Sequence, residues 1–150
     1  MPRIVRKAEV AWEGSTARGS GVASAASSGA FTLPVTLASR IDQPDGKTSP
    51  EELLAAAHAS CFTMSLGSEL ARAGTPPERI DVLCTITMDE VEGRGHQIIH
   101  SAIDASGVVP GCDAAAFAQA AEAADAGCPF SALIKASATV SVIANLEEGG

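Results

Sequence analysis

The chain has almost no aromatic side chains: Phe and Trp make up 3% of its 150 residues, and Tyr is absent. Proteins that bind single-stranded nucleic acid stack the bases on aromatic rings. The net charge of −8 also opposes contact with phosphate backbones and with anionic membranes. We therefore expect neither nucleic acid nor a membrane surface as a partner.

The sequence also lacks long apolar segments. No uncharged run reaches the roughly 20 residues that a membrane-spanning helix needs. The N-terminus carries Arg3, Arg6 and Lys7, but the apolar segment of a signal peptide does not follow them. These absences predict a cytoplasmic protein, in which thiols stay reduced and a working disulfide is transient.

Four cysteines are present, at positions 61, 84, 112 and 128, without a C-x-x-C pair or a cluster with histidine. These spacings are not typical of a zinc site, so we expect no metal. Cys84 falls on the apolar face of a predicted strand, which indicates a core position. Cys112 falls in the loop before a predicted helix, where the sequence shows no partner for it. Cys61 and Cys128 are the candidates for thiol chemistry.

Length and hydropathy indicate one domain that meets another chain. A chain of 150 residues predicts a single domain over residues 1–150, of which we expect 145–150 to be a flexible tail. Hydrophobic residues make up 46% of the chain and the mean hydropathy is +0.19, which is high for so small a domain. The excess apolar surface predicts a homo-oligomer.

Apolar periodicity and turn residues predict six strands and three helices. The strands are expected at residues 8–12, 19–25, 31–37, 80–88, 96–104 and 137–144, and the helices at 50–73, 114–126 and 128–135. The order βββ-α-ββ-α-α-β indicates an α+β fold and not a doubly wound sheet. The first helix is apolar around most of its circumference, which predicts burial on all sides.

Cys61 lies in the middle of this first helix, after the capping residues and the acidic pair Glu51 and Glu52. Apolar neighbours alone would raise its pKa and leave it an inert core thiol, so reactivity requires a cation. Glu51 lies ten residues upstream and projects from nearly the same side of the helix. It could orient an arginine over the sulfur, and Arg40 is the candidate.

Cys128 stands between two predicted helices and is followed by Pro129. The N–H groups and dipole at a helix N-terminus stabilise a thiolate, so this position favours a reactive cysteine over a plain turn residue. His58 lies three residues before Cys61 on the same helix side. It is either a base for Cys61 or a buried histidine that has its own partners.

The segment from Ser49 to Leu66, with Cys61 at its centre, resembles the active-site helix of the OsmC/Ohr hydroperoxide reductases. Ala126-Gly127-Cys128-Pro129-Phe130-Ser131 is similar to the second cysteine motif of that family. Ala11-Trp12-Glu13-Gly14 and Val109-Pro110-Gly111 also fit, and they favour the OsmC branch. The resemblance covers nearly the whole chain.

The resemblance implies an intertwined dimer, in which antiparallel sheets wrap around two long central helices and the active sites lie at the subunit interface. It also implies that Cys61 is the peroxidatic thiol, Cys128 the resolving thiol, and Glu51 the carboxylate that positions an arginine. Arg40 matches the position of that arginine in the OsmC branch, and Arg18 is the alternative. Glu52 and His58 are candidate supporting residues.

This reading predicts a peroxidase that reduces organic hydroperoxides, and hydrogen peroxide as a second substrate class, to alcohol or water. Cys61 becomes a sulfenic acid and then a Cys61–Cys128 disulfide, which an external dithiol reduces; the resemblance suggests a lipoylated protein or a related thiol. No metal, haem or flavin is expected. The predicted substrate pocket is apolar and is formed by Leu53, Leu54, Phe62 and Phe130.

Two other functional classes compete with the peroxidase. A Cys-His hydrolase would depend on Cys61 and His58 and would not need Cys128. A non-catalytic member of the fold would bind a ligand or sense redox state without turnover. The fate of the two cysteines after exposure to a hydroperoxide distinguishes these classes.

Overall fold

The computed structural model describes residues 2–148, which form six strands and four helices. In chain order these are β1 (Glu9–Glu13), β2 (Ser20–Ser24), β3 (Thr32–Val35), α1 (Leu37–Ile41), α2 (Pro50–Arg72), β4 (Arg79–Val91), β5 (Gly95–Val108), α3 (Ala114–Gly127), α4 (Pro129–Lys135) and β6 (Thr139–Leu146). The chain divides into two compact units between Leu53 and Leu54.

The first unit is built on an antiparallel sheet in the order β1-β2-β3. Trp12 lies opposite Gly21 in this sheet. A Cβ atom at Gly21 would collide with the indole ring of Trp12, so glycine is required for this close approach. The indole N–H donates to the carbonyl oxygens of Gly14 and Ser15, which closes the turn after β1.

Helix α1 follows β3 directly, where the sequence predicted the end of a strand and a loop. Thr36 caps it: its hydroxyl accepts from the Ser39 N–H, and the Ser39 hydroxyl interacts with the Thr36 N–H. This reciprocal pair is a capping box that begins the helix despite its short length. The prediction of strand as far as Leu37 was therefore wrong. Arg40 lies in the last turn of α1.

The second unit contains a sheet in the order β4-β5-β6. Strands β4 and β5 form an antiparallel hairpin, as expected, whereas β6 pairs with β5 in parallel. The sheets are thus not wholly antiparallel. Helices α3 and α4 lie between β5 and β6 in the chain, and a crossover of this kind allows a strand to return parallel to its neighbour.

The core of the second unit lies between α2, α3 and the inner face of β5. Phe62 and Phe117 are its largest fully buried side chains, and small alanines of α3 allow close packing. Gly107 of β5 contributes by its lack of a side chain, because a Cβ there would press on the ring of Phe117. The buried members of this core are Phe62, Leu66, Leu70, Ile103, Ala105, Val109, Phe117, Ala120, Ala121, Ala124 and Cys128.

Among residues 2–148, the fully buried side chains of α2 all lie on one face of the helix. Its fully buried residues recur every fourth position, at His58, Phe62, Leu66 and Leu70. Met64 lies on another side of the helix and is 71% exposed. The prediction that α2 is buried on all sides is therefore not met by a single chain.

The end of the chain differs from the predicted tail. Strand β6 includes Asn145 and Leu146, and the Glu147 N–H donates to the carbonyl oxygen of Gly107. Residues 149 and 150, the last of the predicted tail, lie outside the described residues. Within residues 2–148, no helix combines the length and apolarity required to cross a lipid bilayer.

Candidate active site

Two thiols meet in the second unit. Cys61 lies in the middle of α2, and Cys128 occupies the junction between α3 and α4, where it is the N-cap residue of α4. Their Sγ atoms are 3.3 Å apart, and both thiols are reduced. A disulfide needs the sulfurs to approach to about 2 Å, so a small movement suffices to join them.

The two thiols differ in accessibility. Cys128 is 1% exposed and belongs to the core, whereas Cys61 is partly exposed. Cys61 opens on a cleft of about 430 Å³. The other residues that line this cleft are Met64, Ser65, Ser68, Glu69, Arg72, Gly127 and Pro129. A reagent that enters the cleft therefore meets the sulfur of Cys61 first.

The surroundings of Cys61 within this unit favour the protonated thiol. Burial raises the pKa of Cys61, and the contact with Cys128 raises it further. The backbone N–H of Phe130 acts in the opposite direction and lowers the pKa. The sequence predicted that the amino end of α4 would act on Cys128, but this amide of α4 interacts with Cys61. A single amide does not offset burial, so ionisation of Cys61 requires a further positive charge.

Arg40 and Glu51 form an ion pair in the first unit. The Arg40 Nε atom lies 2.7 Å from Oε1 and 3.2 Å from Oε2 of Glu51. The hydrogen bond to Glu51 raises the pKa of Arg40, so its guanidinium stays charged. The side chain of Glu51 is 14% exposed and that of Arg40 41%. The carboxylate is thus the fixed partner and the arginine the accessible one.

Two further candidate residues from the sequence, Glu52 and Arg18, also lie in the first unit. The Glu52 carboxylate accepts a hydrogen bond from the Thr48 hydroxyl at 2.8 Å, which fixes the start of α2. Arg18 is exposed in the turn between β1 and β2, where its backbone N–H donates to the Ser15 hydroxyl.

His58 is fully buried and both of its ring nitrogens have partners. Nδ1 lies 2.6 Å from the Ser101 hydroxyl, and Nε2 lies 2.8 Å from the Ser131 hydroxyl. Burial lowers the pKa of His58, which favours the neutral ring. The Cys84 thiol continues the chain of contacts, 3.2 Å from the Ser101 hydroxyl. This is the buried histidine with its own partners, and not a base oriented toward Cys61.

The residues that were expected to form an apolar pocket do not line the cleft at Cys61. Phe62 is fully buried in the core, because its position on α2 faces β5 and α3. The pocket role predicted for Phe62 is therefore corrected. Leu54 and Phe130 are partly buried, Leu53 ends the first unit, and none of the three belongs to the cleft.

Sequence reasoning missed the two serines that bind His58. Ser101 lies on β5 and Ser131 on α4, 43 and 73 residues from the histidine. The available signal was that both fall on apolar faces, Ser101 in β5 and Ser131 as the last residue of the second cysteine motif. Polar residues at buried positions require partners, and His58 was a candidate partner.

No group of three or more His, Cys, Asp or Glu side chains within residues 2–148 is arranged to hold a metal ion. Cys112, the fourth thiol, is partly buried before α3 and donates to the carbonyl oxygen of Asp113 at 3.4 Å.

Comparison with known proteins finds similar sequences. A model of the family described as OsmC-like protein matches residues 43–143. This segment includes Glu51, Cys61 and Cys128 and begins after Arg40. Peroxiredoxin OsmC of Escherichia coli (strain K12) is 38% identical over 137 residues, which cover 91% of this chain and 94% of that protein.

Solved structures show the same fold. An organic hydroperoxide resistance protein OsmC from Legionella pneumophila matches with a TM-score of 0.75 and 17% identity, over 97% of this chain and 99% of that one. OhrB of Bacillus subtilis, an organic hydroperoxide resistance protein, matches with a TM-score of 0.71 and 19% identity, over 94% and 98%. These structures confirm the α+β architecture expected from the sequence.

Proposed function

Because the chain belongs to the OsmC-like protein family, we propose that it is a thiol-dependent peroxidase that reduces organic hydroperoxides to alcohols. Membership confirms the resemblance on which the sequence analysis relied. The peroxiredoxin name of the Escherichia coli relative supports a hydroperoxide-reducing role. The observation that carries the proposal is the thiol pair, with one sulfur open to a cleft and the other buried 3.3 Å away.

The first half of the reaction takes place at Cys61. Its thiolate attacks the terminal oxygen of the hydroperoxide; an S–O bond forms and the O–O bond breaks. The leaving alkoxide takes up a proton and departs as the alcohol, and Cys61 is left as a sulfenic acid. Arg40, held by Glu51, is the group that we assign to stabilise the thiolate and the developing negative charge.

The second half of the reaction uses Cys128. Its sulfur attacks the sulfenic sulfur of Cys61, an S–S bond forms, and the hydroxyl leaves as water after it gains a proton. This step removes the sulfenic acid before a second hydroperoxide can oxidise it further. An external dithiol, such as a lipoylated protein, then reduces the disulfide and is itself oxidised. We propose a homodimer as the working form; it is the assembly that the family resemblance implies.

The hydrolase alternative gains no support from the geometry. A Cys-His nucleophile requires a ring nitrogen that accepts the thiol proton. Both nitrogens of His58 are hydrogen-bonded to serine hydroxyls, and the pKa of the ring is lowered by burial. A buried second thiol beside Cys61 would also have no function in ester or amide hydrolysis.

The proposal is tested by intact mass spectrometry after one equivalent of tert-butyl hydroperoxide. We expect the reduced protein to lose two hydrogens, and Cys128→Ser to gain one oxygen on Cys61 instead. Cys112→Ser is the matched control and should behave as the unsubstituted protein, because the Cys112 thiol contacts the Asp113 carbonyl oxygen and does not line the cleft at Cys61. An unchanged mass after treatment, or a disulfide that persists in Cys128→Ser, would refute the proposed function.

A further inference from the structure

We propose that His58 is a positioning residue that holds the Cys128 thiol against Cys61 through its hydrogen bond to Ser131. The inference rests on the proposed function for its biological meaning. Within the described residues, His58 has no hydrogen bond to the sulfur of Cys61 or Cys128, so it would act through Ser131. What His58 controls is the formation of the Cys61–Cys128 disulfide, not the attack of Cys61 on the hydroperoxide.

The spacing of the four residues is the first argument. His58 precedes Cys61 by three positions on α2, and Ser131 follows Cys128 by three positions on α4. Residues three apart on a helix lie on the same side, one turn along. The hydrogen bond of 2.8 Å between Nε2 and the Ser131 hydroxyl therefore joins the two helices one turn from each sulfur.

Burial makes this hydrogen bond a fixed connection. His58, Ser101 and Ser131 are all fully buried, so water cannot replace either partner of the ring. A buried polar group that loses its partner costs more than a typical exposed hydrogen bond contributes. The bond of Nδ1 to Ser101 on β5 fixes the ring itself, so the imidazole connects α4 to the sheet as well as to α2.

A second hydrogen bond from α2 fixes the other side of the Cys128 junction. The hydroxyl of Ser65, four residues after Cys61, donates to the carbonyl oxygen of Ala124 at 2.9 Å. Ala124 lies in the last turn of α3, before Cys128. The junction that carries Cys128 is thus attached to α2 upstream through Ser65 and downstream through His58, on the two sides of Cys61.

These attachments affect the disulfide through the effective concentration of the two thiols. A thiol that is held near its partner forms an intramolecular bond more readily than a mobile one, because less freedom is lost in the step. The same reasoning applies to exchange with glutathione disulfide. Cys61 first forms a mixed disulfide and releases one glutathione; Cys128 then displaces the second glutathione and closes the Cys61–Cys128 bond.

The test compares two serine substitutions that act on the same histidine. Ser131→Ala removes the bond of His58 to α4, and Ser101→Ala removes its bond to β5 and leaves α4 attached. Each protein is equilibrated in glutathione buffers of graded ratio, and the fraction of Cys61–Cys128 disulfide is measured by intact mass after acid quench. This measurement uses no hydroperoxide and no turnover.

We expect Ser131→Ala to lower the equilibrium constant for disulfide formation by about 2- to 10-fold, the range that the loss of one hydrogen bond corresponds to. Ser101→Ala should change it by less. Ser131→Thr keeps the hydroxyl and should restore the original value. An unchanged constant in Ser131→Ala, or an equal loss in Ser101→Ala, would overturn the positioning role.

Two further measurements keep the outcome interpretable. Far-UV circular dichroism shows whether Ser131→Ala is folded; if it is not, Ser65→Ala loosens the junction from the other side and should give the same direction of change. Treatment with excess tert-butyl hydroperoxide should give more Cys61 sulfinic acid in Ser131→Ala than in the unsubstituted protein. If hydroperoxide oxidises neither protein while glutathione still distinguishes them, the peroxidase proposal fails and the positioning of Cys128 stands.

Discussion

The reactivity of Cys61 depends on groups that oppose one another. Burial and the neighbouring Cys128 thiol raise its pKa, and the Phe130 amide lowers it. Within its own unit the balance favours the protonated thiol, which reacts slowly with peroxides because the thiolate is the nucleophile. A persistent guanidinium is the kind of group that reverses this balance, and Arg40 keeps its charge through its bond to Glu51.

Replacement of Arg40 should therefore raise the pKa of Cys61 and slow its reaction with hydroperoxide. For Arg40→Met we expect a loss of about 100-fold in rate, comparable with the removal of one group that stabilises charge in a transition state. Glu51→Gln should give a smaller loss, since the guanidinium remains but is less well held. The pH dependence of iodoacetamide alkylation measures the pKa, and stopped-flow mixing measures the rate.

Arg18→Met is the matched control for this prediction. Arg18 is the alternative arginine, and its substitution should leave both the pKa and the rate as they are. If Arg18→Met produces the loss and Arg40→Met does not, the assignment of the arginine is reversed.

The ring of His58 joins three secondary-structure elements, because it projects from α2 and is hydrogen-bonded to β5 and to α4. Burial lowers the pKa of His58 below its ordinary value of 6.5; to a smaller extent, the charge of Asp125 raises this pKa and that of Lys135 lowers it. Well above pH 6.5 the ring is neutral in both the folded and the unfolded chain. Below this pH the unfolded chain binds a proton that the folded protein resists, so acidification favours unfolding.

We predict that the free energy of unfolding falls as the pH drops below about 6.5, by up to ~1.4 kcal/mol per pH unit from this one group. Urea titrations between about pH 7.5 and 5.5 measure this free energy. His58→Gln keeps a polar group at the site but does not titrate, and its stability should depend less on pH. Parallel pH profiles for the two proteins would show that His58 is not the responsible group.

The helices around the thiols could be predicted from the sequence, because local signals define them. Pro50 and the acidic pair after it begin α2, and the residues around Cys128 mark the boundary between α3 and α4. Helix α1 was missed, because its signal is one Thr–Ser capping box after an alternating strand. The parallel pairing of β5 with β6 was also missed, since strand direction depends on the path of α3 and α4 and not on side-chain alternation.

In the candidate site, too, the features with a local sequence signal were predicted and those that depend on distant residues were not. The family resemblance predicted that Cys61 and Cys128 act together, and their sulfurs lie 3.3 Å apart. The spacing of Glu51 suggested an arginine partner, and Glu51 pairs with Arg40. The serines that bind His58 are 43 and 73 residues away from it, and no local pattern joins them. Phe62 was assigned to a pocket but lies in the core. An apolar residue next to a cysteine gives the same local sequence pattern in either place. Only the direction of its side chain from α2 distinguishes the two.

At the scale of the whole molecule, the apolar helix α2 has its fully buried side chains on one face among the described residues. Phe62 and Leu66 of α2 face the core, while Met64 is 71% exposed between them. Soluble helices place polar residues on such a side unless another surface covers it. The sequence predicted a homodimer with two central helices, and a second copy of α2 is the surface that such a dimer would supply at Met64.

We therefore expect light scattering to give a mass near twice the 15.1 kDa of one chain. Met64→Asp should weaken the dimer by at least about 30-fold, because it places an unpaired charge at the centre of the expected contact. Leu83→Asp is the matched control: Leu83 is 66% exposed on the face of β4 opposite to the core-facing Val82 and Cys84, away from the helices. A monomeric unsubstituted protein, or dissociation by Leu83→Asp alone, would contradict a dimer built on α2.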